Sequence, residues 1–275
     1  MIKLNGKPVV LENFPDQTML LREGVPINFH AHRDAKIEWF YSNDWEFTAL
    51  SYLVQHLRSH GVEEIHLFMP YIPNARQDRV EDEEDVFTLK YFTKMLNSLH
   101  LTSVTVLDPH SNVSIALIDN VIVQNPLGYV DFAVEQIRTE ENDEPPILFY
   151  PDEGASKRYS HLIQSPYLFG VKIRDWKSGD IKSLQVIGET STLKDKSVLI
   201  VDDISSYGGT FLYSAKALKE FGIKNIYLYI THCENSILSG KLINSGLLKR
   251  IYTTNSIFTE HHELIEVIPL DYPYK

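Results

Sequence analysis

Two adjacent carboxylates, Asp202 and Asp203, stand between an apolar run and a loop of small residues in SVLIVDDISSYGGT, residues 197–210. Paired acids of this kind can hold sugar hydroxyls or a divalent cation, and burying them at a strand end without a partner is costly. Ser205, Ser206, Tyr207, Gly208 and Gly209 come next, and Thr210 opens a helical pattern carried by Phe211, Leu212, Ala215 and Leu218. Glycines at such a turn let backbone N–H groups close on an anion, and the helix N-terminus favours negative charge there. The chemistry this spacing suits is the grip of a phosphorylated sugar. A plain βα turn, with acids and serines capping the helix, is the competing reading. It suffices for Ser205 or Ser206 alone but leaves the paired acids unexplained.

Three further polar clusters come after apolar runs: Arg76-Gln77-Asp78-Arg79, Asp108-Pro109-His110 and Asp152-Glu153-Gly154. Guanidinium groups such as Arg76 offer several donors to phosphate oxygens, whereas Arg79 alone is read as a surface ion pair of small value. His110 suits a metal ligand or a phosphate contact, with a structural histidine as the alternative. Asp152 can hold magnesium through one carboxylate, as magnesium sits with nucleotide phosphates. Lys172 and Arg174 alternate along an extended run and so point to one face. Two cations side by side either flank an anion, such as a transferring phosphoryl group, or protect an exposed edge strand. The acid run 81–85 is read as a solvated loop.

These residues need a scaffold that brings strand ends together. Val198-Leu199-Ile200-Val201 reads as a strand buried on both faces, the pattern of a parallel sheet. Similar runs fall at 65–69, 104–107, 121–123, 147–150, 167–173 and 226–231, and 36–41 is expected as a strand as well. Helical spacing between them runs through Phe47, Leu50, Leu53, Val54 and Leu57, capped by Ser42 or Asn43 and stopped at Gly61. Further helices are expected over 86–96, 130–137, from about 155, and 237–247, with short strands and hairpins in the first thirty-five residues and a hairpin arm at 181–186. A polar linker is expected at 140–146, and a last strand near 251–254 that returns to the first lobe. The expected fold is α/β: two similar lobes, 1–125 and 126–275, hinged at Asn125-Pro126-Leu127-Gly128, each a mostly parallel sheet flanked by helices. Ligands in such sheets bind beyond the carboxyl ends of the strands, where all four polar clusters fall.

The 275 residues are 43% hydrophobic and 23% charged, with a net charge of -11. That balance argues against a general binder of nucleic acid or of anionic membranes. The single cysteine, Cys233, excludes an internal disulfide framework and suits a reducing cytoplasm. Placed at the end of an apolar run, it is read as a buried thiol rather than a nucleophile. Neither a signal pattern nor an apolar stretch of membrane length is seen, so a cytoplasmic protein is expected.

Taken together, the pieces resemble the ribose-phosphate pyrophosphokinases, the enzymes that make phosphoribosyl pyrophosphate. The likeness runs from about residue 14 to 256 and keeps the motif order. IPNARQDR resembles that family's ATP loop, DPHS its Asp-x-His motif and FYPDEGASKR its Pro-Asp-x-Gly segment. VKIRDWKSGD resembles the start of the catalytic loop, VDDISSYGGT the ribose-phosphate loop, and TTNSI the Thr-Asn-Thr-Ile segment. The resemblance implies that Phe14 and Asp16, in ENFPDQT, contact the adenine of ATP from a neighbouring subunit, which requires a homodimer or higher homo-oligomer. It implies that Arg76, Gln77 and Asp78 belong to the ATP site, and that His110 and Asp152 position Mg2+ and the nucleotide phosphates. Lys172 and Arg174 would stabilise the transferred diphosphoryl group; Asp202, Asp203 and residues 205–210 would hold the acceptor ribose. The reaction implied moves the β,γ-diphosphate of ATP to the anomeric hydroxyl of a 5-phosphorylated ribose and releases AMP, mostly by positioning and electrostatics.

The chain departs from the family pattern at several places. Ser206 and Tyr207 stand where the family has Asp-Thr, Val113 stands near a usual glutamine, and Thr18 replaces a glutamate. An N-terminal βα unit and the closing helical segment are expected to be missing. The changes at 206 and 207 fall where the 5′ end of the acceptor belongs, so ADP-ribose, in NAD synthesis, stands beside ribose 5-phosphate as the expected acceptor. Two rival readings are a phosphoribosyltransferase and a catalytically silent regulatory subunit.

Overall fold

Alternating burial along the chain explains the architecture of the computed structural model, which describes residues 1–22, 33–174, 181–191 and 193–270, without the side chains of Arg174, Ile181 and Lys182. The chain forms two compact units, Met1–Asn125 and Pro126–Leu270.

The first unit opens with β1 (Ile2–Leu4), β2 (Lys7–Pro8), β3 (Val10–Asn13) and β4 (Met19–Arg22), then β5 (Asp34–Trp39) and α1 (Trp45–Ser59). After these come β6 (Glu64–Phe68), α2 (Thr88–Asn97), β7 (Ser103–Leu107), α3 (Asn112–Leu117) and β8 (Val121–Gln124). The main sheet runs β2-β1-β5-β6-β7-β8, while β3 and β4 pair only with each other. Strands β5 to β8 are parallel, and β1 joins β5 antiparallel. The apolar face expected for α1 does pack inward, with Leu50, Leu53, Val54 and Leu57 buried beside Trp39 and Ile37. Each such side chain contributes about 1.5–3 kcal/mol by leaving water. The cap differs from expectation. Asp44 is the N-cap and makes no side-chain cap bond. Ser42 instead donates its hydroxyl to buried Glu46 at 2.9 Å.

The second unit comprises α4 (Leu127–Glu140), β9 (Ile147–Tyr150), α5 (Glu153–Tyr159), β10 (Tyr167–Arg174), β11 (Ile181–Ile187), β12 (Ser197–Ser205) and α6 (Gly209–Lys219). It ends with β13 (Asn225–Cys233), a short 3-10 turn at Asn235–Ser239, β14 (Arg250–Thr254) and β15 (Ile265–Ile268). Its sheet runs β11-β10-β9-β12-β13-β14-β15, parallel except for the β10–β11 hairpin. Strand β12 carries two cores at once. Val198 and Ile200 pack with Phe211, Ala215 and Leu218 of α6. Leu199 and Val201 pack with Val130 and Ile137 of α4 and Tyr159 of α5. A strand covered on both faces has no polar side to show, which is why its sequence is a continuous apolar run.

Three expectations are corrected here. The last strand does not return to the first sheet: β14 and β15 both extend the second. No helix spans 237–247, where a 3-10 turn gives way to irregular chain. A Cβ at Gly240 would land on the Tyr207 carbonyl, and Gly246 sits at φ +66°, so this stretch tracks the contour of its neighbour instead of coiling. The polar segment at 140–146 is more than a linker, because Glu141 is buried and bonded to β13. No described helix is long and apolar enough to cross a membrane.

Candidate active site

Register decides which side chains meet at the carboxyl edge of the second sheet. Tyr150 of β9 lies level with Phe169 of β10, and Phe149 level with Ile200 of β12. Asp152, Lys172 and Asp202 therefore all lie two or three residues past level points on neighbouring strands, and they converge. Lys172 Nζ donates to Asp152 Oδ2 at 2.9 Å. The other carboxylate oxygen, Oδ1, caps α5 by accepting the Ala155 N–H at 3.0 Å. Burial alone would raise the Asp152 carboxyl. Bonds from Ala155, Lys172 and Gly154 outweigh it and hold the carboxyl below its usual range.

Strand alternation sends Asp203 to the face that carries Leu199 and Val201, under α4 and α5. There Arg158 of α5 meets Asp203 Oδ1 at 2.7 Å, and the aspartate is only 2% exposed. Nothing in the sequence marked Arg158 as more than a helix residue; its partner is distant along the chain, and only the packing of α5 on β12 joins them. Asp202 is the opposite case. Burial, and next the charges of Asp203 and Asp152, push its carboxyl well above the ordinary range. The two adjacent acids thus have opposed environments: Asp203 faces a guanidinium, and Asp202 faces two carboxylates.

Past β12 the chain turns into α6 through Gly208, which has φ +76° and occupies the N-cap position, one residue earlier than the sequence suggested. A Cβ there would also lie 2.7 Å from Leu242 Cδ2, so glycine is required by both backbone and space. The first-turn N–H groups of α6 have no partner within the helix and face the carboxyl edge of the sheet. Tyr207 projects outward with 62% of its surface exposed. Ser205 Oγ donates to the Ser206 carbonyl at 3.2 Å, and Ser206 Oγ to Glu234 Oε2 at 2.8 Å. Glu234, just past β13, was missed by sequence reasoning, which had no way to place it opposite Ser206. Cys233 is buried, and burial pushes its thiol up to about 12, as suits a packing residue.

In the first unit, β6 and β7 are neighbours with Phe68 level with Thr105. The loops after them, carrying Arg76, Gln77, Asp78 and His110, therefore leave one edge of that sheet. Gln77 is fixed by Thr88 at the start of α2, whose hydroxyl donates to Gln77 Oε1 at 2.7 Å. Arg76 is exposed and His110 half-buried. Arg79 pairs with Glu81 at 3.2 Å and Asp78 at 3.6 Å, a surface cluster of small energetic value. Phe14 and Asp16 lie elsewhere, in the turn between β3 and β4. Asp16 Oδ1 accepts the Thr18 hydroxyl at 2.6 Å and its N–H at 3.0 Å. The hydroxyl bond, more than the backbone one, holds the carboxyl below its usual range. The Phe14 ring is 47% exposed. Arg174 ends β10, but its side chain and residues 175–180 lie outside the described residues.

Among the described residues, no three His, Cys, Asp or Glu side chains form a cage for a metal ion. Both Asp152 oxygens are engaged, Oδ2 by Lys172 and Oδ1 by the Ala155 N–H, so a single-carboxylate contact to magnesium there requires Lys172 to turn away.

Comparison with known proteins gives the geometry a context. A phosphoribosyl transferase domain matches residues 128–241, the stretch that holds Asp152, Lys172 and the Asp202-Asp203 loop. Ribose-phosphate pyrophosphokinase 2 of Schizosaccharomyces pombe is 29% identical over 74% of this chain, which spans 64% of that protein's length. The ribose-phosphate pyrophosphokinase of Sulfurisphaera tokodaii is 27% identical over 89% of this chain and 82% of its own. That of Campylobacter jejuni is 30% identical over 74% of this chain and 65% of its own. In structure, the phosphoribosylpyrophosphate synthetase of Mycobacterium smegmatis covers 95% of this chain and 86% of its own, with a TM-score of 0.75 at 18% identity. The shared fold extends through both units, and the sequence likeness reaches well beyond the phosphoribosyl transferase domain. In sequence over most of its length, and in fold through both units, the chain is similar to the ribose-phosphate pyrophosphokinases.

Proposed function

We propose that this protein is an ATP-dependent pyrophosphokinase that transfers the β,γ-diphosphate of ATP to the anomeric hydroxyl of a 5-phosphorylated ribose, releasing AMP. The observation that supports this most is the Lys172–Asp152 bond of 2.9 Å at the sheet edge that also carries Asp202 and Asp203. Lys172, closed on Asp152 in this structure, can turn from that carboxylate to a diphosphoryl group and leave the carboxylate open to magnesium.

In this reading Asp202 holds the ribose hydroxyls, Asp203, expected beside it there, is instead buried against Arg158 and backs the strand, and the α6 N-terminus with Gly208, Gly209 and Thr210 receives the 5′-phosphoryl group. Arg76, Gln77, Asp78 and His110 hold ATP, joined by Phe14 and Asp16 from a neighbouring subunit of a homo-oligomer. Mg2+, held through Asp152, would supply charge neutralisation on the phosphates when bound. The anomeric oxygen forms the new bond to the β-phosphorus as the bond to the α,β-bridging oxygen breaks, AMP takes the leaving electron pair, and the hydroxyl proton is released. Lys172, with Arg174, offsets the charge that develops on the transferred group.

The acceptor is ribose 5-phosphate or ADP-ribose. The exposed Tyr207 ring at the loop favours the larger one, since it is open to flank a substituent beyond the first phosphoryl group. The test is AMP release from ATP and Mg2+ with each acceptor in turn. AMP with at least one is expected; AMP with neither, together with pyrophosphate release from phosphoribosyl pyrophosphate and a base, would give the phosphoribosyltransferase reading instead.

A further inference from the structure

The acceptor loop is tied to a carboxylate from another element. Cys233 of β13 lies level with Ser205 of β12, and the Glu234 N–H donates to the Ser205 carbonyl at 2.9 Å. The Glu234 side chain then reaches the loop: its Oε2 accepts from Ser206 Oγ at 2.8 Å and from Ser236 Oγ at 3.0 Å. The segment beyond it continues along the loop, with Gly240 against the Tyr207 carbonyl and Leu242 against Gly208. A negative charge is thereby held at the first residue of the loop by one backbone bond and two hydroxyls.

Both serine hydroxyls already donate their protons within the protein. Ser205 donates to a carbonyl and Ser206 to Glu234, so neither hydroxyl is turned to donate to an incoming phosphate. A bare 5′-phosphate is close to a dianion at neutral pH and must approach this carboxylate to reach the backbone N–H groups of α6. A phosphoryl group that is esterified carries one charge less at that position. The esterifying group can bring sugar hydroxyls, which are donors that a carboxylate accepts, and a base to lie against Tyr207.

We infer that Glu234 is a specificity-determining residue: its carboxylate, held by Ser206 and Ser236, selects a ribose whose 5′-phosphoryl group is esterified over the bare phosphate monoester. The inference rests on the pyrophosphokinase reading above and deepens it at one residue. The experiment compares kcat/KM for ADP-ribose and for ribose 5-phosphate, read as AMP release at saturating ATP, in the wild type, Glu234→Gln and Glu234→Asp. The wild type is expected to prefer ADP-ribose. Glu234→Gln keeps an oxygen for the two hydroxyls but removes the charge, and the ratio should fall about tenfold, chiefly through a lower KM for ribose 5-phosphate. Glu234→Asp, which keeps the charge, should retain the preference. A wild type that prefers ribose 5-phosphate overturns the inference whatever the variants do, so the result does not depend on their folding. Equal changes for both acceptors in Glu234→Gln also overturn it, because a purely structural role would act that way. In both cases AMP is still formed and the pyrophosphokinase reading stands. AMP from neither acceptor in the wild type overturns that reading and the inference with it.

Discussion

Asp202 carries a conflict that a stability measurement can expose. Burial and the neighbouring charges of Asp203 and Asp152 raise its carboxyl well above the ordinary range. A carboxyl raised in the folded state destabilises the fold wherever it must ionise, and has no effect below the carboxylate range, where folded and unfolded chains both hold the proton. Asp202→Asn is therefore expected to raise the melting temperature near neutral pH, by about 2–4 °C for each kcal/mol relieved, with the gain vanishing below about pH 3. Turnover should fall in the same variant, because the sugar hydroxyls then meet a neutral amide in place of a carboxylate. A melting temperature that falls at pH 7 would show that Asp202 is held by partners strong enough to offset its burial. Lys172→Ala should lower kcat by about a hundred- to a thousandfold, as removal of a preorganised charge does, while nucleotide binding measured by calorimetry persists. An unchanged kcat would remove Lys172 from the mechanism. At this scale the acids stood out because carboxylates are rare at the ends of buried strands, and Lys172 because it alternates with Arg174 along one. Arg158 and Glu234 were not, since each gains its meaning only from a partner on another element.

Elements are tied together at the end of the sheet far from the site. Glu141, at the end of α4, is buried where β13 and β14 begin and accepts from Lys224 at 2.7 Å, Asn225 at 2.6 Å, Tyr227 at 2.7 Å and Lys249 at 2.9 Å. Burial by itself would raise this carboxyl; the four donors outweigh it and hold it at about 2, against an ordinary 4.5. A depressed folded-state value stabilises fully above pH 4.5 and less as pH falls toward 2, an effect of about 3 kcal/mol at neutral pH. Glu141→Gln should thus lower the melting temperature at pH 7, and the gap to wild type should close as pH falls toward 2. A gap independent of pH would mean that packing, not charge, supplies the stabilisation. The sequence showed 140–146 only as a polar segment, because a glutamate at a helix end reads as solvated until its four partners, at least 83 residues on, are folded around it. Strands and amphipathic helices were legible for the opposite reason: their signal is local periodicity. The expected helix at 237–247 failed because apolar spacing there serves contact with the acceptor loop.

For the whole molecule, the proposed reaction asks a chain of net charge -11 to admit two polyanionic substrates, so binding would rely on cations placed locally rather than on an attractive overall field. The fold class could be read from alternating strand and helix patterns, whereas which chains combine to form a site could not, because no periodicity reports contacts between subunits. The proposed role of Phe14 and Asp16 in a neighbouring subunit makes a prediction only an assembly can satisfy. Phe14→Ala would damage the adenine contact given to the neighbour, and Lys172→Ala would damage the chain's own transfer site. Each variant alone should turn over poorly. When the two are coexpressed, or unfolded and refolded together, a mixed dimer contains one site with an intact Lys172 and an intact Phe14 from its partner. Random pairing would then restore about a quarter of wild-type activity. Sedimentation should show mixed oligomers in the same sample. Mixed oligomers with activity no higher than the two variants separately would place Phe14 in its own chain's site or outside the site altogether.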